Sequence, residues 1–536
     1  MKLNNESLKE KKFWEDVDIS LPDFDRQKSI NAALTTPKWL HFGAGNIFRA
    51  FPAVLYQELL EKGLETAGLV VAVRYDKETI KKCFNRFDDL TLLVTLKSNG
   101  STDKKVIASI ASYLGMDCDY DTLKNIFTNP SLQMVSFTIT EKGYNLINTN
   151  DEYLPEIADD LNSAPCMAKS FPGRITALCF ERYAKGCFPL ALVSMDNCSN
   201  NGDKLFAIIE IFAKSWIEKG FVDSAFMDYI CNPKKLSFPC TMIDKITPGP
   251  DREVQKKLEE LGLDDMQSTI AGKNTLIAPF VNAEETQYLV IEDSFPNGRP
   301  PLEKTGIFFT NRKTVEKVEK MKVGTCLNPI HTALAIFGCL LGYKRMNAAI
   351  KDPDLLKLAK GIGYKEGLPV VIDPQIINPK KFIDEVINVR IPNPFLPDTP
   401  QRIATDSSQK IPVRFGGTLK AYKALGKDFK ELKFIPLVFA GWLRYLLGID
   451  DNGNPFEVSP DPLYESLKSD LEGIKLGQCQ IDIHNKLKPI LSNSSLFGLD
   501  LYESALGSRV EEYFTQMISG TGEVRKLLSI IGEWRI

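Results

Sequence analysis

The sequence predicts an α/β protein: a doubly wound parallel sheet in the N-terminal part, followed by a mainly α-helical C-terminal part. Three observations predict it. Short apolar runs alternate with helical patterns through the first half. The first run ends at a glycine pair that opens a helix. From about Asn328 onward, helical periodicity dominates.

In chain order, Trp39–Phe42 reads as a strand, and 47–62 (Ile47 to Lys62) as a helix. The run Leu69–Arg74, LVVAVR, is a second strand rich in β-branched residues. Gln133–Thr140 and Leu190–Ser194 are further buried strands. The turn-forming segment Phe295-Pro-Asn-Gly-Arg-Pro-Pro301 places the domain boundary, giving 1–300 and 301–536. Helices are expected at Asn328–Leu341, Pro353–Ile362, Pro379–Ile387, Gly416–Ala424, Ile435–Leu447 and Leu463–Leu476.

The chain has 536 residues, 43% hydrophobic and 25% charged, which is globular usage for two or three domains. Net charge is −3 with no long basic run, so nucleic-acid and membrane-surface partners lack an electrostatic basis. The start, MKLNNESLKEKKFWEDVDISL, has no signal-peptide apolar core. The longest apolar stretch, Ala333–Leu341, is too short to span a bilayer. A cytoplasmic location is expected. The cysteines, at 83, 118, 166, 179, 187, 198, 231, 240, 326, 339 and 479, form no CxxC pair and read as reduced thiols. With only three histidines, His41, His331 and His484, no His-rich metal site is expected.

The run HFGAGNIFRAF (41–51) joins a strand to a helix. Gly43 permits a tight turn, Gly45 lets the backbone approach a pyrophosphate, and the helix N-terminus offers free N–H groups. The third glycine of the usual dinucleotide fingerprint is missing, so a plain structural turn reads the same way. Asp76, at the end of LVVAVR, suits a ribose diol and repels a 2′-phosphate, favouring NAD over NADP. It lies farther from the glycines than the customary ~20 residues. Arg74 beside it would instead welcome a phosphate.

In EKMKVGTCLNPIH (319–331), Asn328 reads as an N-cap with Pro329 at the first helical position. His331 then falls in the first turn, where the helix end favours the neutral imidazole. A desolvated lysine just upstream can serve as a base.

These segments resemble the polyol-specific long-chain dehydrogenases: mannitol 2-dehydrogenase, fructuronate reductase and tagaturonate reductase. HFGAGNIFRAF, FTITEKGYN (137–145), VSMDNCSNNG (193–202), MIDKITP (242–248), YLVIEDSFPNGRPP (288–301), MKVGTCLNPIHTALA (321–335) and SSQKIPVR (407–414) follow the family's order. The resemblance implies a Rossmann-type NAD-binding domain, a mainly helical substrate domain and no metal. It implies cofactor contacts from Gly43, Gly45, Asn46, Ile47, Arg49, Asp76, Thr140 and Glu141. By the same resemblance Lys322 is the general base, Asn328 and Asn201 hold the developing alkoxide, His331 orients the substrate oxygen and Glu319 relays the proton. Asp244, Arg402 and Lys410 contact the rest of the substrate.

There are departures. The family usually has four residues between the catalytic lysine and asparagine. Here five separate Lys322 from Asn328, and Lys320 is a competitor for the base. Asn46, Phe48 and Phe51 stand where mannitol dehydrogenases more usually have Gly, His and His, which is closer to the hexuronate reductases. A hexonate substrate is therefore expected, D-mannonate first, with D-altronate and D-mannitol as alternatives. Arg402, Lys410 and Arg414 are cations suited to its carboxylate. A catalytically silent NAD sensor would have no need of Lys322, Asn328 and His331.

Overall fold

Parallel strands covered on both faces read as continuous apolar runs, and the first half of the chain has six strands in one such sheet. They are β1 (Trp39–Phe42), β2 (Leu69–Val73), β3 (Ile110–Gly115), β4 (Met134–Phe137), β5 (Leu190–Ser194) and β6 (Leu236–Ser237). All pair in parallel, in the order β3-β2-β1-β4-β5-β6. The register sets His41 between Val71 and Ser136. Alternate side chains go to opposite faces. Leu40, Phe42, Val70, Ala72, Val135 and Phe137 enter one core, while Trp39, Val71, Val73, Met134, Ala191 and Val193 enter the other. The strand order reverses between β1 and β4, which opens a crevice at the carboxyl ends of the strands. This is the Rossmann arrangement expected from the sequence.

The computed structural model describes residues 1–272, 275–477 and 482–532. By contacts it divides into two units, Met1–Lys97 with Ser101–Glu316, and Ser98–Gly100 with Lys317–Ile536. Cys479 lies outside the described residues.

Several elements differ from the sequence reading. The helix expected over 47–62 is two helices, Asn46–Ala50 and Pro52–Glu61. Phe51 between them leaves the helical region at φ −137°, ψ −77°, and Pro52, which has no N–H to continue the first helix, takes the first position of the second. The strand expected to reach Thr140 ends at Phe137, and Thr140 takes φ +64°. The sequence reading omits β3, β6 and two three-stranded sheets. In one, Thr91–Leu96 pairs with Phe280–Glu284 and the half-polar Thr102–Ile107. In the other, Tyr288–Glu292 pairs with Thr241–Asp244 and Phe308–Thr310.

The second unit is helical where periodicity predicts, including Asn328–Leu340, Pro353–Lys360, Pro379–Glu385, Gly416–Ala424 and Phe434–Leu446. The helix expected over Leu463–Leu476 shortens to Tyr464–Asp470, ahead of Gly473 at φ +85°. Buried Glu366 caps Phe434–Leu446 by accepting from the amides of Lys433, Phe434 and Ile435 at 2.5–2.7 Å. Among the described residues, three π-helical segments interrupt the α-helices, at Lys322–Cys326, Gly361–Gly367 and Val386–Arg390.

The first π segment joins two helices into one run, Arg312–Leu340, of 29 residues. With a mean hydropathy of 1.4 in its most apolar window, this run is long and apolar enough to cross a membrane, unlike the shorter stretch read from the sequence. That window is 72% buried within the protein. Ile330 and Ala333 through Leu340 are buried in the core. The helix Asn328–Leu340 packs against Pro353–Lys360, Pro400–Ala404 and Phe434–Leu446. Burial in this core accounts for its apolarity.

Candidate active site

In the first unit, a cavity of about 330 Å³ opens where the strand order reverses. Gly43 and Ala44 after β1, Arg74 and Tyr75 after β2, Met116 after β3, and Thr138 and Ile139 after β4 line it. Gly43 has φ +113°, and a Cβ there would sit 2.5 Å from the carbonyl oxygen of Thr138. Only glycine permits this turn. Gly45 is exposed, and a Cβ would meet nothing within 4 Å. A narrow turn, open space over the second glycine and backbone at the mouth of the sheet fit a dinucleotide's pyrophosphate.

The neighbouring side chains divide between bracing and facing outward. Arg49 turns into the interior, donating to Ala278 O at 2.9 Å and to Asn46 Oδ1 at 3.1 Å. Asn46 donates to Pro248 O at 3.1 Å. Both side chains therefore brace the turn rather than line the cavity. Ile47 packs on the core. Asp76 is exposed, and its Oδ1 caps the helix Lys77–Cys83 through Thr79 N at 2.7 Å. This bond holds its carboxyl below the usual carboxylate range. Arg74 lies 3.8 Å from Glu156, and Glu141 lies 3.4 Å from Lys204. His41 is buried between Ser136 Oγ (2.6 Å) and Thr138 Oγ1 (2.9 Å), and burial holds it neutral.

Asn201 is fully buried, and its amide is committed internally. Nδ2 donates to Asp196 O and to Thr241 O and Oγ1, while Oδ1 accepts from Thr241 N. These bonds give Asn201 a structural setting, whereas the resemblance implies an alkoxide role for it. Two amides of the same motif are exposed, Asn197, just past the end of β5, and Asn200. Asp244 is buried at the end of its strand. The sequence reading also missed Asp196, whose signal is an acid following a buried strand.

In the second unit, Glu319, Lys322, Asn328 and His331 share one helical run. Asn328 does not cap a helix end, as expected from the sequence. The run continues through it, with Leu327 N bonded to Lys322 O at 3.1 Å and His331 N to Leu327 O at 3.0 Å. Lys322 is buried and Lys320 is exposed. His331 Nε2 lies 3.6 Å from the buried Asp398, which accepts a hydrogen bond from Arg402. Arg414 donates to Thr332 Oγ1 at 2.5 Å, and Lys410 to the carbonyls of Thr405 and Ile403. His331 is neutral as expected, but not because of a helix N-terminus. Burial first, then Arg414, Arg390, Arg402 and Lys410, lower it to about 3. Among the described residues, no three His, Cys, Asp or Glu side chains are grouped to hold a metal ion.

Comparison with known proteins matches residues 37–304 to the mannitol dehydrogenase Rossmann domain and 314–518 to the mannitol dehydrogenase C-terminal domain. A D-mannonate oxidoreductase of Thermotoga maritima is 49% identical, over 98% of each chain. The Pseudomonas fluorescens mannitol 2-dehydrogenase, solved as a ternary complex with NAD and D-mannitol, is 25% identical and covers 100% of each chain with a TM-score of 0.69. A D-sorbitol dehydrogenase in substrate-free form is 26% identical over 96% of each chain, with a TM-score of 0.76.

Proposed function

The chain belongs to the mannitol dehydrogenase family, and from that premise we propose that it is an NAD-dependent dehydrogenase of hexonates that interconverts D-mannonate and D-fructuronate. The observation that carries the choice of substrate class is the set of four cations, Arg390, Arg402, Lys410 and Arg414, whose charges act on His331. Such a set suits a substrate carboxylate. Identity of 49% to a D-mannonate oxidoreductase, against 25% to the mannitol 2-dehydrogenase above, supports D-mannonate over D-mannitol.

Bound NAD supplies the hydride acceptor. Gly43, Gly45 and the loop after β4 hold it at the mouth of the sheet. Ile47, Asp76, Thr140 and Glu141 complete this side, with Asp76 on the ribose favouring NAD over NADP. Lys322 takes the proton from the substrate hydroxyl, and burial sets it apart from the exposed Lys320. Asn328, with Asn197 in place of Asn201, donates to the oxygen as negative charge develops. Neutral His331 orients that oxygen by a hydrogen bond, and Glu319 passes the proton on. Asp244, Arg402 and Lys410 bind the rest of the substrate. No step uses a metal.

Following NADH absorbance with D-mannonate, D-altronate and D-mannitol, each with NAD and with NADP, tests the reading. D-Mannonate with NAD is expected to give the highest kcat/KM. A higher value for D-altronate or D-mannitol overturns the substrate, and a higher value with NADP means that Arg74 outweighs Asp76.

A further inference from the structure

Asp196 is a buried carboxylate two residues past β5. It accepts three hydrogen bonds, all from one segment. Oδ2 accepts from Ile139 N at 3.0 Å and from the Tyr144 hydroxyl at 2.8 Å, and Oδ1 from Thr140 N at 2.8 Å. The Tyr144 hydroxyl also pairs with Ser194 Oγ at 2.5 Å. The segment they fasten, Thr138 to Tyr144, provides Thr138, Ile139 and Gly143 to the wall of the 330 Å³ cavity. It has left β4, and Thr140 stands at φ +64°, a conformation a β-branched residue seldom takes unless its surroundings enforce it.

The anchor is itself anchored. Asn201 Nδ2 donates to Asp196 O at 2.9 Å, and the Asn201 amide is tied to Thr241 on both sides. On the cavity side, the Thr138 carbonyl lies so close to Gly43 that a Cβ there would be at 2.5 Å. Displacing the loop therefore disturbs the glycine turn as well.

We propose that Asp196 is a positioning residue for the cofactor: through three hydrogen bonds it fixes the loop Thr138–Tyr144 against the glycine turn and so sets NAD affinity. The inference rests on the reading of this cavity as the NAD site. An ionised carboxylate presents acceptors to both amides at once. A side-chain amide in its place has one acceptor oxygen and aims an NH₂ at a backbone N–H.

The test is Asp196→Asn in the full chain, read by NADH fluorescence titration, by KM for NAD and for D-mannonate, and by a melting curve. The Kd for NADH and the KM for NAD are expected to rise about 10- to 100-fold, the scale of one or two lost charge-assisted hydrogen bonds. KM for D-mannonate should stay within about 3-fold, well below the change expected for NAD. Unchanged NADH affinity in folded Asp196→Asn overturns the proposal, as does an equal rise in both KM values. Tyr144→Phe removes one of the three bonds and keeps the carboxylate. It should raise the Kd for NADH by a smaller factor, and if Asp196→Asn does not fold, an unchanged Kd in Tyr144→Phe overturns the proposal. Failure of the wild-type protein to bind NADH would instead overturn the reading of the cavity.

Discussion

The backbone amide of Leu327 donates to the carbonyl of Lys322 across 3.1 Å, a step of five residues where an α-helix takes four. This π turn, Lys322–Cys326, lies between Lys322 and Asn328, where the resemblance to the polyol dehydrogenases implies one residue more than that family's usual four. A π turn absorbs one inserted residue without breaking the helix, so Lys322 and Asn328 stay on a common run.

The π turn depends on a neighbour. Gly324 O accepts from Thr418 Oγ1 at 3.0 Å. Thr418→Val keeps the shape and removes the donor, so it should destabilise the protein by about 1–2 kcal/mol and lower Tm by a few degrees, with Thr418→Ser close to wild type. Thermal denaturation checks this. A valine variant as stable as wild type would mean that water satisfies the carbonyl equally well.

Asn201 and Asn197 should separate structure from catalysis. Asn201→Ala strands several buried partners and should cost about 3 kcal/mol or more. Asn197→Ala is on the surface and should change stability by less than about 0.5 kcal/mol, yet lower kcat by about 10²-fold as a lost oxyanion donor. Denaturant unfolding and kcat on both variants decide it. A stable, inactive Asn201→Ala beside an active Asn197→Ala would restore the assignment read from the sequence.

His331 should make stability depend on acid. Its folded value is about 3, below the unfolded value of about 6.5. Between these, the unfolded chain binds the extra proton, so stability falls as pH falls through the window, and above it the contribution vanishes. The slope is at most about 1.4 kcal/mol per pH unit, and less in practice because 18% of the side-chain surface stays exposed. Relative to wild type, His331→Gln should therefore gain stability from pH 7 to pH 5, by up to about 2 kcal/mol. Unfolding at several pH values checks this, and a constant difference between the two proteins would contradict it.

Where the sequence was legible, the reason was local. Strands β1, β2 and β5 are short, mostly apolar runs buried along their whole length, and the Gly43 turn is marked by a residue type that no other can replace there. What stayed hidden depends on contacts far along the chain or on competing local signals. Proline marks the break at Phe51–Pro52, but the apolar periodicity runs straight across it. The π turn at Lys322 has no composition of its own. That Asn201 lies inside and Asn197 outside follows from packing against Thr241, 40 positions beyond Asn201. The low value at His331 comes from burial and from Arg390, Arg402, Lys410 and Arg414, which are 59 to 83 positions beyond it.

The most direct test of the central claim, that Lys322 is the proton acceptor of a D-mannonate dehydrogenase, is kcat for D-mannonate oxidation in Lys322→Ala and Lys320→Ala, with NADH binding measured alongside. Lys322→Ala should lower kcat about 10²–10⁴-fold, the span for a positioned acid–base group. Its NADH affinity should be unchanged, and Lys320→Ala should keep most of its activity. An active Lys322→Ala beside an inactive Lys320→Ala would contradict the account and move the base two residues along the helix.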